Sequence, residues 1–106
     1  MAGRHKISLL IHLSGLEDPR PRENTILNFS DILFMVVCAV ITGCESWVEI
    51  EDYARTKKAW FSAILCFRGK TPSHDTFRRV FCMIDFKEFQ QVFANWTTEV
   101  KKTLGI

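Results

Sequence analysis

Residues 30–43 read SDILFMVVCAVITG, and the way this stretch folds decides the fold class. Ile32 to Ile41 are ten apolar residues in a row, which leaves no polar face for water. A membrane-spanning helix needs about 20 such residues, so the run is a core element and not an anchor. Its Ile and Val content would suit a buried strand. Ser30-Asp31 argues for a helix. Ser is a strong N-cap, and Asp at the start of a helix meets the positive end of its dipole. Gly43 supplies the stop. A helix that is apolar all round has to be central and enclosed.

Working outward, residues 1–16 carry Ile7, Leu9, Leu10, Ile11 and Leu13, and a short helix ending near Gly15 is expected. The polar connector Glu17-Asp18-Pro19-Arg20-Pro21-Arg22 follows. Its prolines lack the N–H a helix needs and hold their neighbours extended. On the other side of the central run, Ser46-Trp47-Val48-Glu49 has the S-x-x-E form of a capping box. A helix starting there puts Trp47, Ile50, Ala54, Phe61, Ile64 and Leu65 roughly on one side. Glu49, Glu51, Asp52, Arg55 and Lys58 form a solvated surface, but Lys57 falls near the apolar stripe, so a break is expected around 56–59. Arg68-Gly69-Lys70-Thr71-Pro72 is the clearest turn, with Ser73 as a cap. Phe77, Val80, Phe81 and Ile84 then recur at helical spacing. Asp85 and Glu88 open a last helix whose Phe86, Phe89, Phe93, Trp96 and Val100 form one apolar seam. The expected fold is all-α: four or five helices around the 31–43 helix, with a helix-turn-helix-like segment. The domain boundaries read as an arm and connector over 1–23 and a helical domain over 24–103.

Composition bounds the function. The chain has 106 residues, 47% of them apolar and 25% charged, which suits one small folded domain and excludes a disordered tail. Its 14 basic and 12 acidic residues leave a net charge of only +2, too little to announce nucleic-acid binding. Cysteines 38, 44, 66 and 82 form no C-x-x-C pair, so no zinc site and no other metal or cofactor is expected. With no secretory signal in view, the expectation is a reduced, cytoplasmic protein.

RGKTPSHDTFRR, residues 68–79, is the stretch with most to say about function. Helix, turn, helix is the layout of a DNA reader, though this turn exceeds the usual three or four residues. In that reading Arg68 and Lys70 clamp phosphate from the turn, and Arg79, with Arg78 on its flank, comes near base edges. The alternative is a solvated surface helix in which Asp75 pairs with Arg78 or Arg79. Ser73, His74 and Asp75 read as a turn and capping group. His74 and Asp75 are neighbours that would not point at one atom, which argues against a catalytic pair. Asp31, Asp52, Asp75 and Asp85 each read as a cap, a first-turn charge or a surface residue before they read as carboxylates for metal ions. The tryptophans and phenylalanines sit on helical stripes and read as core. Any of Phe86, Phe89, Phe93 and Trp96 left uncovered would form an interaction face.

Several groups of residues carry a family resemblance: Ser30-Asp31-Ile32-Leu33, Cys38-Ala39-Val40-Ile41-Thr42-Gly43, Trp47 to Tyr53, and His74-Asp75-Thr76-Phe77-Arg78-Arg79-Val80. Pro72-x-His74-Asp75-Thr76 is the most recognisable of these motifs. Over residues 27–96 the chain resembles the N-terminal associated domain of bacterial insertion-sequence transposases of the H-repeat-associated type. The resemblance implies a helix for the central run. It also implies a DDE nuclease domain that follows in the family, opening on an aspartate in an Ile-Asp-Gly-Lys context. This chain stops at Thr103-Leu104-Gly105-Ile106, before any such segment, so no catalytic residues and no enzymatic activity are expected. What is expected is a bacterial accessory module of DNA transposition that contacts DNA. The alternative is a domain that docks a subunit or another domain without touching DNA, or a decayed remnant. The implied partners are DNA at element ends, a second copy of the chain, or a full-length transposase; neither a membrane nor a small-molecule substrate is among them.

Overall fold

The computed structural model describes residues 2–20, 28–65 and 69–105. These form six helices and no strands: α1 (Ala2–Leu13), α2 (Phe29–Ile41), α3 (Trp47–Thr56), α4 (Lys58–Ile64), α5 (His74–Met83) and α6 (Phe86–Leu104). The fold is all-α around a buried central helix, as the sequence implies.

That central helix is α2, and its start differs from the sequence reading. Asn28, not Ser30, is the N-cap. Its Oδ1 accepts hydrogen bonds from the Ser30 backbone N–H (3.0 Å) and the Ser30 hydroxyl (2.8 Å). Asn and Ser cap about equally well. Starting two residues earlier brings Phe29 into the helix and into the core, which decides between them. From Ile32 to Val37 every side chain of α2 is buried. The helix ends in a Schellman motif, with Gly43 N–H bonded to Val40 O and Cys44 N–H to Ala39 O, both at 3.0 Å. Gly43 has φ 106°, a conformation in which any Cβ would be strained.

Around α2 the other helices supply the lid. Phe61 of α4 is fully buried and meets three rings: Phe34 at 6.1 Å, Tyr53 at 6.0 Å and Trp60 at 5.0 Å between centroids. The break at Lys57 makes this possible. An unbroken helix would carry Lys57 toward the apolar stripe. Instead α3 stops at Thr56, Lys57 stays exposed, and α4 restarts with Phe61 facing in. This division of the Trp47–Ile64 segment brings the helix count to six. At the other end Leu9 and Leu13 of α1 are buried, and α1 packs against both α2 and α6. Ser8 Oγ donates to Glu99 Oε1 at 2.8 Å, and His12 Nε2 lies 2.6 Å from Glu99 Oε2, which ties α1 to α6.

Local signals hold with small shifts. Ser46 Oγ accepts from Glu49 N–H (3.1 Å), but the Glu49 carboxylate accepts from Glu45 N–H (2.7 Å), one residue before the position a capping box would use. Asp85 caps α6 through the N–H groups of Lys87 and Glu88. In the connector, Arg20 folds back on Asp18 through its backbone N–H and its guanidinium, and stacks 5.9 Å above the Phe29 ring.

Asp31 is the one buried charged residue among those described, at 7% exposure, and its Oδ2 has no hydrogen-bond partner among the described residues. Desolvation pushes its pKa up from the ordinary 3.8. The first-turn dipole favours this charge by about 0.3–1 kcal/mol, whereas an unsatisfied buried polar atom costs about 1–3 kcal/mol, so the burial cost dominates. Because the folded pKa is the higher one, this cost is fully present above it and disappears below the unfolded value. Asp31→Asn is expected to stabilise the fold at pH 7 by about 1 kcal/mol, with the gain gone below pH 3.8, as measured by urea unfolding at both pH values. Phe61→Ala is expected to cost about 3–5 kcal/mol in the same assay, from lost burial and the cavity left among three rings.

Candidate nucleic-acid interface

The segment singled out in the sequence lies at the start of α5, against α3. Ser73, in extended conformation, caps α5 by accepting from Thr76 N–H at 3.2 Å. His74 is the first helical residue and acts as a donor, not a cap. Its backbone N–H (2.5 Å) and its Nδ1 (2.8 Å) both meet Glu51 Oε1 of α3. The other carboxylate oxygen, Glu51 Oε2, accepts from Arg55 Nη2 at 3.0 Å. Glu51 thus ties the α5 N-terminus to α3. The backbone N–H of His74, its imidazole and the Arg55 charge hold the Glu51 carboxyl below its ordinary range.

Asp75 turns away from the helix end. One oxygen meets Arg78 at 2.7 Å and the other meets Arg79 at 2.5 Å. The Arg78 hydrogen bond first, then the Arg79 charge, holds Asp75 below the usual carboxylate range, and Asp75 in turn pushes Arg78 up. Both arginines remain exposed, so their outer N–H groups face solvent while two cations share one carboxylate. α5 packs principally on α3 and not on α4, which precedes it in the chain. Arg68 lies outside the described residues.

Lys70 lies apart from the two arginines. It lines an open groove of about 360 Å³, with Thr71, Pro72 and Ser73 on its own wall and Glu51, Arg55 and Lys58 from the α3–α4 side. Sequence reasoning treated Arg55 and Lys58 as ordinary surface and missed that they line one groove with Lys70. The groove joins residues 12 or more apart in sequence, and no local pattern encodes it.

The last helix carries a second candidate surface. Trp47, Phe81, Phe89, Phe93 and Trp96 form a continuous row across α3, α5 and α6, with successive centroids 5.6, 5.6, 6.4 and 5.6 Å apart. Each of these rings is half-buried, and α6 has no fully buried residue. Phe86, the first residue of α6, is 68% exposed. Phe89, Phe93 and Trp96 are therefore covered in part by the chain's own packing, and Phe86 is not.

Nothing among the described residues assembles nucleophilic or metal chemistry. No group of three His, Cys, Asp or Glu side chains could hold a metal ion. Ser8 and His12 both bond to Glu99 and not to each other, so they form no nucleophile–base pair. No described helix is long and apolar enough to cross a membrane.

Residues 10–97 match the family described as DDE_Tnp_1-associated. Among curated relatives, the chain is 38% identical over 92 residues to the putative transposase YncI of Escherichia coli O157:H7, covering 87% of this chain and 24% of that protein. It is 36% identical over 88 residues to the H repeat-associated putative transposase YhhI of Escherichia coli K12, covering 83% of this chain and 23% of that protein. It is also 38% identical over 72 residues to the inactive transposase YbfQ of the same strain, covering 68% of this chain and 86% of the relative. The chain thus spans only about a quarter of YncI and YhhI. No solved structure matches it.

The Glu51 tie has a pH signature. A carboxylate whose folded pKa is depressed contributes stability above its unfolded value, and loses it as pH falls through the folded value. Glu51→Gln is therefore expected to lower the thermal midpoint at pH 7. The gap to the parent should close as pH drops from the ordinary 4.5 to below the folded value, as followed by circular dichroism. An equal gap at pH 7 and pH 3 would mean that the negative charge contributes nothing to the tie.

Proposed function

This chain belongs to the DDE_Tnp_1-associated family, and on that premise we propose that it is a DNA-contacting accessory module of a transposase with no strand-cleaving chemistry of its own. The observation that carries the reading is that Lys70, just before α5, and Arg78 and Arg79, within it, are all exposed. Cations in such an array bind the phosphate backbone, which needs charge and reach but no enclosed pocket. The N-terminal donors of α5 add less than a free helix end would, since Ser73 and Glu51 already occupy the N–H groups of Thr76 and His74. A relative named as an inactive transposase aligns with this chain over 86% of its own length, which supports the absence of strand-cleaving chemistry in this reading. The partners proposed are duplex DNA at element ends and a transposase subunit.

A second reading, docking of a subunit or domain without DNA, is favoured by one observation: exposed Phe86 on α6, the helix that also carries the half-covered Phe89, Phe93 and Trp96. An aromatic row of this kind at the surface suits a protein partner.

Fluorescence anisotropy against random duplex DNA across a salt series separates the two. The DNA reading expects affinity that falls steeply with salt, and a weaker, flatter response in the Arg78→Ala/Arg79→Ala variant, the slope dropping by about 1 for each phosphate that is no longer neutralised. Removing both arginines leaves Asp75 unpaired, so the fair comparison also carries Asp75→Asn. A folded protein that binds no duplex at low salt would leave docking as the function.

A further inference from the structure

We propose that the groove between α3 and residues 70–73 seats one strand of the DNA backbone, and that Lys58 and Lys70 are its main phosphate contacts. This rests on the DNA reading above and says where on the surface the contact is made.

The argument is one of unspent charge. Arg78 and Arg79 are the most conspicuous cations in the sequence, yet Asp75 holds both at close range. Arg55, which also bonds Asp52, lines the groove together with Lys58, Lys70 and one carboxylate, Glu51. That carboxylate is already engaged by two donors of His74 and by Arg55. Among the described residues no carboxylate pairs with Lys58 or Lys70. Unpaired ammonium groups are free to neutralise phosphates, which releases the cations condensed on the DNA, and that release drives binding. A guanidinium already bonded to a carboxylate has first to give up that bond.

Shape and chemistry point to the same occupant. The groove is open and not enclosed, which suits a polymer passing along it. Among the described residues no aromatic ring lines it, and these offer no stacking platform for a base or a nucleotide. Lysine is a compact, mobile point charge, suited to phosphate and poor at fixed two-point recognition of base edges. Thr71 on the same wall adds a neutral hydroxyl, while the Ser73 hydroxyl is taken up in capping α5. Contact here is with phosphate and sugar, and so without sequence preference.

The test is the double variant Lys58→Ala/Lys70→Ala in the same salt series, beside the arginine variant. Both lysines are exposed, so the fold should survive, and circular dichroism checks it. The expected result is a slope of log affinity against log salt lower by about 2, with the same loss on duplexes of unrelated sequence. Inorganic phosphate at matched ionic strength should displace duplex poorly. Unchanged binding in the lysine variant, with weakened binding in the arginine variant, would overturn the groove and leave the DNA reading standing. Complete displacement by inorganic phosphate would make the groove a small-anion site and overturn the proposal. No duplex binding by the parent protein would overturn both readings together.

Discussion

A helix with no polar face persists only where other helices enclose it, and α2 imposes that condition on the whole chain. From Ile32 to Val37 it buries every side chain, so each neighbour has to present apolar surface to it from a different direction. α1 contributes Leu9 and Leu13, α3 contributes Ile50 and Ala54, and α4 contributes Phe61. The break at Lys57 is a consequence of this demand, because Ala54 and Phe61 cannot both reach the core on an unbroken helix without drawing Lys57 inward. α5 and α6 come later in the enclosure. α5 is held by Phe77 and Val80 and by the Glu51 tie to α3, while α6 leans on α1 through Glu99 with no residue fully buried. Coverage therefore thins from α2 outward, and the candidate surfaces lie where it is thinnest.

Local rules carried most of the fold. An unbroken apolar run, serine or aspartate before α3, α5 and α6, glycine after α2 and the steps between Phe77, Val80, Phe81 and Ile84 are all decided within a few residues. The sequence was therefore enough to expect helices in these places and a break near Lys57. It was not enough to choose between Asn28 and Ser30 as a cap. Both have the chemistry, and only the burial of Phe29 against the core separates them. Nor could it find that Glu49 reaches Glu45. Choices of this kind depend on how a helix is entered, and distant residues set that.

The site was less legible, for a physical reason. Sequence shows which cations exist but not which carboxylates neutralise them. Arg78 and Arg79 stand beside Asp75 in the chain, so both the ion pair and the phosphate clamp were open readings, and the structure forms the pair with both arginines. Glu51 read only as part of a solvated surface; in the structure it pairs with Arg55 at helical spacing. It also accepts two bonds from His74, 23 residues away, and only the packing of α5 on α3 makes this possible. A net charge of +2 averages over all of this and says little about where an anion would go. What matters is the residue of charge left after local pairing, and that quantity exists only once the helices are packed.

The basic groove and the aromatic row occupy different sides of the α3–α5 pair. Trp47 and Phe81 lie toward α6, whereas Arg55 and Ser73 lie toward the groove. α5 reaches both, with Phe81 against Phe89 and its cap Ser73 in the groove wall. A DNA strand on one side and a protein partner on the other would not compete for the same atoms. The two readings of function are therefore compatible within one domain. Any coupling between them would have to pass through the seating of α5, which depends on Phe77, Val80 and the Glu51 carboxylate.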